Sequence, residues 1–256
     1  MKLLLTLIML LCSAVSGVAL CTAEGLYVYP SGRTIKQNSM FIVRGYAESQ
    51  SVVLGLNKKY NIYLRSGGTI VRLVVKEICV GQYQLTQAIL KPERELEAGR
   101  EYTVIIDSLP KREELERISD KTDNSGVPSY KVVAGIDATR PEVTSKPVIL
   151  KKRYAQYGCG PAIYVEFSNP AKDDSELWVK TTVRSLKSGK EATFYLVPDG
   201  EKIYVGRSMC SGAFAFRDDG SYEVEFSFVD SCGNLTAWAG ERMVFTKPDV
   251  RSDDED

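Results

Sequence analysis

From residue 26 onward, short runs rich in Val, Ile, Tyr and Phe alternate with polar positions and are cut by Gly, Pro, Asn and Ser. The runs cover 26–29, 40–43, 60–64, 69–75, 83–90, 102–106 and 130–133. After Asp137-Ala138-Thr139-Arg140-Pro141, which reads as a linker, the rhythm restarts at 148–152, 162–167, 177–183, 193–197, 202–205, 213–216, 222–229 and 237–245. Period-two runs bounded by turn residues predict strands. Ser66-Gly67-Gly68 predicts a hairpin, and Pro198-Asp199-Gly200 a tight turn. One segment breaks the pattern. Residues 111–121 carry strong helix formers, with Arg112/Glu116 and Glu113/Arg117 at i,i+4 spacing, and predict a short exposed helix. The expected fold class is all-β: two β-sandwiches in tandem, residues 22–137 and 138–248, with that one helix and an acidic tail at 249–256.

The start of the chain changes the setting. Met1-Lys2 leads into an apolar run to Leu11, then small residues to Ala19. That is the pattern of a secretory signal peptide over 1–20. The apolar stretch falls short of the roughly 20 residues that span a bilayer. Two processing fates fit. Gly17 and Ala19 suit ordinary cleavage. Val18-Ala19-Leu20-Cys21 resembles a bacterial lipoprotein box, with Leu20 where Gly, Ala or Ser is usual, and makes Cys21 a lipidation candidate. The expected location is extracytoplasmic: periplasm, outer membrane lipoprotein or secreted. Membrane contact is expected only through a lipid on Cys21.

Export makes disulfides the default for Cys79, Cys159, Cys210 and Cys232. Strands that reverse direction put alternate connections at one end of a sandwich. Counting them places Cys159, Cys210 and Cys232 together. The expected bridge is Cys159–Cys210, closing a loop of about 50 residues for roughly 4 kcal/mol. Cys232 is then unpaired or joined to Cys79. The absence of any C-x-x-C pair disfavours zinc.

Composition then removes whole classes of chemistry. With 33 Lys+Arg against 33 Asp+Glu, the chain lacks the basic excess of a nucleic-acid binder. With no histidine there is no Ser-His-Asp or Cys-His constellation and no His-ligated metal. No cofactor, no catalytic residue and no nucleic-acid partner are expected. Two kinds of site stay open. The acidic clusters Asp173-Asp174, Asp218-Asp219 and Asp230 could bind calcium through loop oxygens or form a carboxylate pair, although Asp is also a turn former. Among 14 tyrosines, Tyr27, Tyr29, Tyr60, Tyr63, Tyr154 and Tyr157 could make a sugar-stacking face, or simply pack.

Three motifs carry a resemblance. Asp218-Asp219-Gly220-Ser221-Tyr222 resembles the tyrosine corner of immunoglobulin-like folds, with Val224 where antibody domains have Cys. Asp230-Ser231-Cys232-Gly233-Asn234 is similar to the D-x-x-G-N element of bacterial immunoglobulin-like modules, and Trp178 fits the position of a core Trp. In the first half, Leu90-Lys91-Pro92 followed by Leu96, Gly99 and Tyr102 resembles bacterial surface-layer-type immunoglobulin-like domains. The resemblance implies a non-enzymatic binding, adhesion or envelope structural protein, with an unknown protein or glycan partner at the cell envelope. The alternative is a carbohydrate-binding or calcium-dependent accessory module of a surface enzyme or transport system.

Overall fold

A computed structural model describes residues 24–118 and 128–250. The expected export signal, Cys21, the end of the expected helix and nearly all of the acidic tail lie outside them. The chain is all-β. In the first half, β1 (Gly25–Tyr29), β2 (Thr34–Ile35), β3 (Phe41–Tyr46), β4 (Ile62–Ser66), β5 (Thr69–Val80), β6 (Leu85–Pro92), β7 (Glu101–Ile106), β8 (Leu115–Arg117) and β9 (Ser129–Val132) form one sheet. Its order is β2-β9-β7-β4-β5-β6-β3-β1-β8. The long strand β5 serves both arms, pairing with β4 through residues 69–72 and with β6 through 73–80. A bulge between Val75 and Glu77 bends it, which lets one sheet fold into two facing leaves. Phe41, Leu64, Leu73, Tyr102 and Tyr130 fill the space between them. The hairpin at Gly67-Gly68 forms, with Gly67 at φ 56°.

The second half has β10 (Glu142–Val143), β11 (Ile149–Tyr157), β12 (Gly160–Ser168), β13 (Ala171–Lys172), β14 (Leu177–Ser185), β15 (Glu191–Leu196), β16 (Lys202–Arg207), β17 (Ser221–Asp230), β18 (Leu235–Ala237) and β19 (Met243–Thr246). A three-stranded leaf, β11-β12-β16, faces a five-stranded one in which β17 pairs with β14, β18 and β19. Strand β15 lies at the edge of that leaf. Phe167 of one leaf meets Phe226 of the other at 5.2 Å, and Trp178 is fully buried.

The expected helix at 111–121 is not a helix over its described part. Leu115–Arg117 is strand β8, paired in parallel with Leu26, Tyr27 and Val28 of β1. Only Leu115 and Ile118 offered an apolar edge, so charge pairs worth a few tenths of a kcal/mol competed with backbone pairing and lost. Arg117 instead is buried and donates to the Ser31 carbonyl, and Glu113 accepts from Ser49. Among the described residues, the α-helix that forms, α1 (Gln50–Leu54), carries no long periodic pattern. It lies so close to β3 that a Cβ on Gly45 would run into the Ser49 carbonyl and Val53.

A second difference has wider effect. Residues 213–216 are not a strand, so a single connection runs from β16 to β17 and contains both Cys210 and the tyrosine corner. The β11–β12 turn, holding Cys159, is at the same end, with the Gly160 Cβ position 4.0 Å from the Met209 carbonyl oxygen. Cys232, in the β17–β18 turn, is at the other end. Without a strand at 213–216, the chain reverses once fewer before Cys232, which puts it opposite Cys159 and Cys210.

Candidate functional site

The outer side of β1, β3 and β6 is not solvated. Strand β3 is buried on both faces along five consecutive residues, and β6 along its first six. Tyr29, Ile42, Cys79, Leu85 and Ile89 point out of the first half and join the apolar core of the second. The linker read from the sequence at 137–141 therefore joins halves that are packed together. Arg44 stands at the centre of the contact, 8% exposed. Its guanidinium donates to the Tyr29 hydroxyl at 3.0 Å and to the Tyr195 carbonyl at 2.8 Å. It also lies 4.7 Å from the Tyr29 ring centre and 5.8 Å from that of Phe194. Burial pushes the Tyr29 hydroxyl up to about 12, so it serves Arg44 as a neutral acceptor. Gln87, with its amide turned to donate to the Tyr195 carbonyl at 3.2 Å, also accepts from the Tyr195 N–H. Edge strand β15 is thus capped by side chains of the first half, which closes an open sheet edge.

Polar ties flank Arg44. Glu77 binds Lys180 at 3.0 Å and the Tyr195 hydroxyl at 2.9 Å. Glu176 accepts from the Trp178 indole at 3.0 Å and from the Ser31 N–H at 2.6 Å. Backbone bonds from Gln82 to Ala213 and from Met40 to Ser231 fasten both ends.

At the Met40–Ser231 end lies a candidate metal centre. Asp137 is in the former linker, Asp173 follows β13, and Asp230 closes β17. One carboxylate oxygen from each lies within 4.8 Å of the others. Oxygens that share a calcium at roughly 2.3–2.6 Å can be no more than about 5 Å apart, so the spacing fits. Asp230 is fully buried, and its donors are neutral: the Cys232 and Asn234 N–H groups at 2.9 and 2.8 Å, and the Asn234 amide at 2.7 Å. Asp137 accepts from the Ser175 hydroxyl at 2.6 Å, and Asp173 from the Ser175 N–H at 2.7 Å. Burial first, and then the charges of Asp230, Asp137 and Asp174, raise the Asp173 carboxyl above its usual range. A cleft of about 690 Å³, lined by Asp173, Asp174, Asn169 and Thr139 among others, opens onto the group.

The sequence named Asp173 and Asp230 but assigned Asp137 to a linker. The spacing of Asp137 from its partners carried no signal; only the folded junction brings it in. Asp218-Asp219 is elsewhere, where Asp218 accepts from Ser188 at 2.5 Å and Asp219 pairs with Lys247 at 2.9 Å. The D-x-x-G-N element has a plain local role here, since Asp230 and Asn234 hold the turn together. The Tyr222 hydroxyl donates to the Asp218 carbonyl at 2.7 Å, closing the corner.

Cys79 and Cys232 are thiols in this structure and are not joined to each other. The loops that carry Cys159 and Cys210 are neighbours. Cys232 is 3.7 Å from the Ser39 hydroxyl, and Cys79 packs beside Glu77 under the junction. Burial, then the Glu77 charge, pushes the Cys79 thiol up to about 12, which makes it inert. The six tyrosines form no common face. Tyr29 is in the junction, Tyr60 in the first core, and Tyr154 and Tyr157 on β11. Tyr27 packs on Tyr46, and Tyr63 stands on the outer side of β4.

No family model and no curated protein matches the chain. Among solved structures, the pullulanase of Anoxybacillus sp. LM18-11 complexed with maltotriose is 9% identical, at TM-score 0.25, over 81% of this chain and 24% of that one. The N-terminal part of the bacterial S-layer protein SbsC is 14% identical, at TM-score 0.25, over 88% and 44%. The tandem Ig repeats of Dlar are 8% identical, at TM-score 0.23, over 88% and 98%. This chain thus spans about a quarter of the pullulanase. No described helix is long and apolar enough to cross a membrane.

Proposed function

We propose that the protein is a non-enzymatic extracytoplasmic binding or envelope structural module, built as two immunoglobulin-like sandwiches welded into one rigid body. The observation that carries this reading is the buried junction around Arg44. A junction that buries apolar side chains from both halves suits a spacer or platform that holds its outer faces in a fixed relation. The export pattern at 1–20 supplies the compartment. The test is sedimentation of the purified chain with envelope fragments of its source organism. Retention in the pellet is expected. A chain that stays wholly in the supernatant at any salt concentration contradicts the reading.

A second reading, calcium dependence, is favoured by the carboxylates of Asp137, Asp173 and Asp230, which have no Lys or Arg partner among the described residues. Calcium alone should then raise the melting temperature of the full chain, magnesium should do so less, and Asp173→Asn should remove the response. A wild-type chain indifferent to calcium, or a variant that responds equally, contradicts it.

A further inference from the structure

The outer side of the other leaf of the first half, formed by β4, β5, β7 and β9, faces solvent. Tyr63 stands on it, directly across from Arg72 of β5 on one side and Ile105 of β7 on the other. The Tyr63 hydroxyl donates to Asp107 Oδ1 at 2.9 Å, which fixes the ring upright at the end of β7. The Asp107 N–H in turn donates to the Asn61 carbonyl at 2.9 Å, so the rim is tied from both sides. These residues and the exposed Ile70 line a cleft of about 370 Å³. Three polar groups around it have no hydrogen bond to protein among the described residues: Asp107 Oδ2, the Asn61 amide and the Arg72 guanidinium.

We propose that this cleft is a binding site for a neutral saccharide. It rests on the binding-module reading and adds a ligand class to it. A sugar ring presents an apolar C–H face ringed by hydroxyls, each both donor and acceptor. The cleft offers the complement: an aromatic ring and the Ile70 side chain as apolar wall, one carboxylate oxygen as acceptor, one guanidinium fork as donor, and one amide that is both. A few convergent polar groups about an apolar surface, in a volume of this size, mark a small-ligand site. The Asp107 carboxylate favours neutral sugars over anionic ones. The Tyr63–Asp107 bond preorganises the stacking ring, so little ordering is left for the ligand to drive. Hydrogen bonding to Asp107 raises the Tyr63 hydroxyl above its ordinary value and keeps it a donor at neutral pH.

The test is saturation-transfer NMR on the full chain with neutral trisaccharides of glucose in α and β linkage and of N-acetylglucosamine. At least one should receive saturation at its ring C–H protons. Tyr63→Ala and Arg72→Gln should each weaken that ligand at least about tenfold, with folding checked by melting temperature. Tyr63→Phe should keep most of the affinity, because the ring remains. If Tyr63→Ala does not fold, Arg72→Gln and Asp107→Asn give the same reading from the rim. Absence of transfer to every trisaccharide, or affinity unchanged in folded Tyr63→Ala or Arg72→Gln, overturns the site. If these variants still sediment with envelope fragments, the cleft fails alone; if the wild-type chain does neither, the binding reading fails with it.

Discussion

The junction contains two charged centres built in opposite ways. Around Arg44, one buried cation donates to two neutral acceptors and lies against two aromatic faces. At Asp137, Asp173 and Asp230, three carboxylates share a small volume with neutral donors and no cation among the described residues. A buried charge is tolerated only where hydrogen bonds replace its hydration. The first centre meets that condition and ties the halves together. The second meets it only in part, and Asp173 records the shortfall as a raised carboxyl pKa.

Substitution separates the two. Arg44→Ala should have the largest effect. It removes the central donor, strips the Tyr195 carbonyl of its charged partner and leaves a void, for a loss of about 3 kcal/mol in urea unfolding. The same variant should expose the β15 edge to hydrogen exchange. Tyr222→Phe makes a control away from the junction. It deletes the hydroxyl that donates to Asp218, and should cost about 1 kcal/mol while leaving β15 protected. Glu77→Gln removes a half-exposed ion pair with Lys180 and should cost no more than about 1 kcal/mol.

Asp173→Asn should be the smallest change and of opposite sign, a modest rise in melting temperature in metal-free buffer. The pH dependence has the same origin. A carboxyl whose folded pKa is raised binds protons more tightly in the folded state than in the unfolded one. Its contribution therefore improves as pH falls through the folded value and is unfavourable above it. Metal-free melts of wild type and Asp173→Asn should converge as pH drops below the ordinary carboxyl range. Divergence on acidification would show that Asp173 is not the strained member.

Much of the fold could be read along the chain because its strands are local patterns. Tyr102 and Tyr222 were legible for the same reason. Each lies within a short motif and turns its hydroxyl back to nearby backbone, at Glu97 and Asp218. What could not be read depends on distant parts of the chain. Leu115–Arg117 looks helical alone and becomes a strand because β1 offers a free edge. Ala213, Phe214 and Phe216 look like a strand because they are apolar; they are buried, but as a connection packed under the corner. With no strand there, Cys232 lies at the end opposite Cys159 and Cys210. Arg44 gave one usable hint, a charged residue directly after the apolar run 40–43. Asp137 gave none, because its partners are supplied only by the docked halves.

The central claim is that the two halves unfold together because the Arg44 junction makes them one body. Differential scanning calorimetry of the intact wild-type chain tests it most directly. A single transition is expected, with calorimetric and van't Hoff enthalpies in agreement, which broadens or splits in Arg44→Ala. Two separate transitions in the wild type, neither moved by Arg44→Ala, would contradict it.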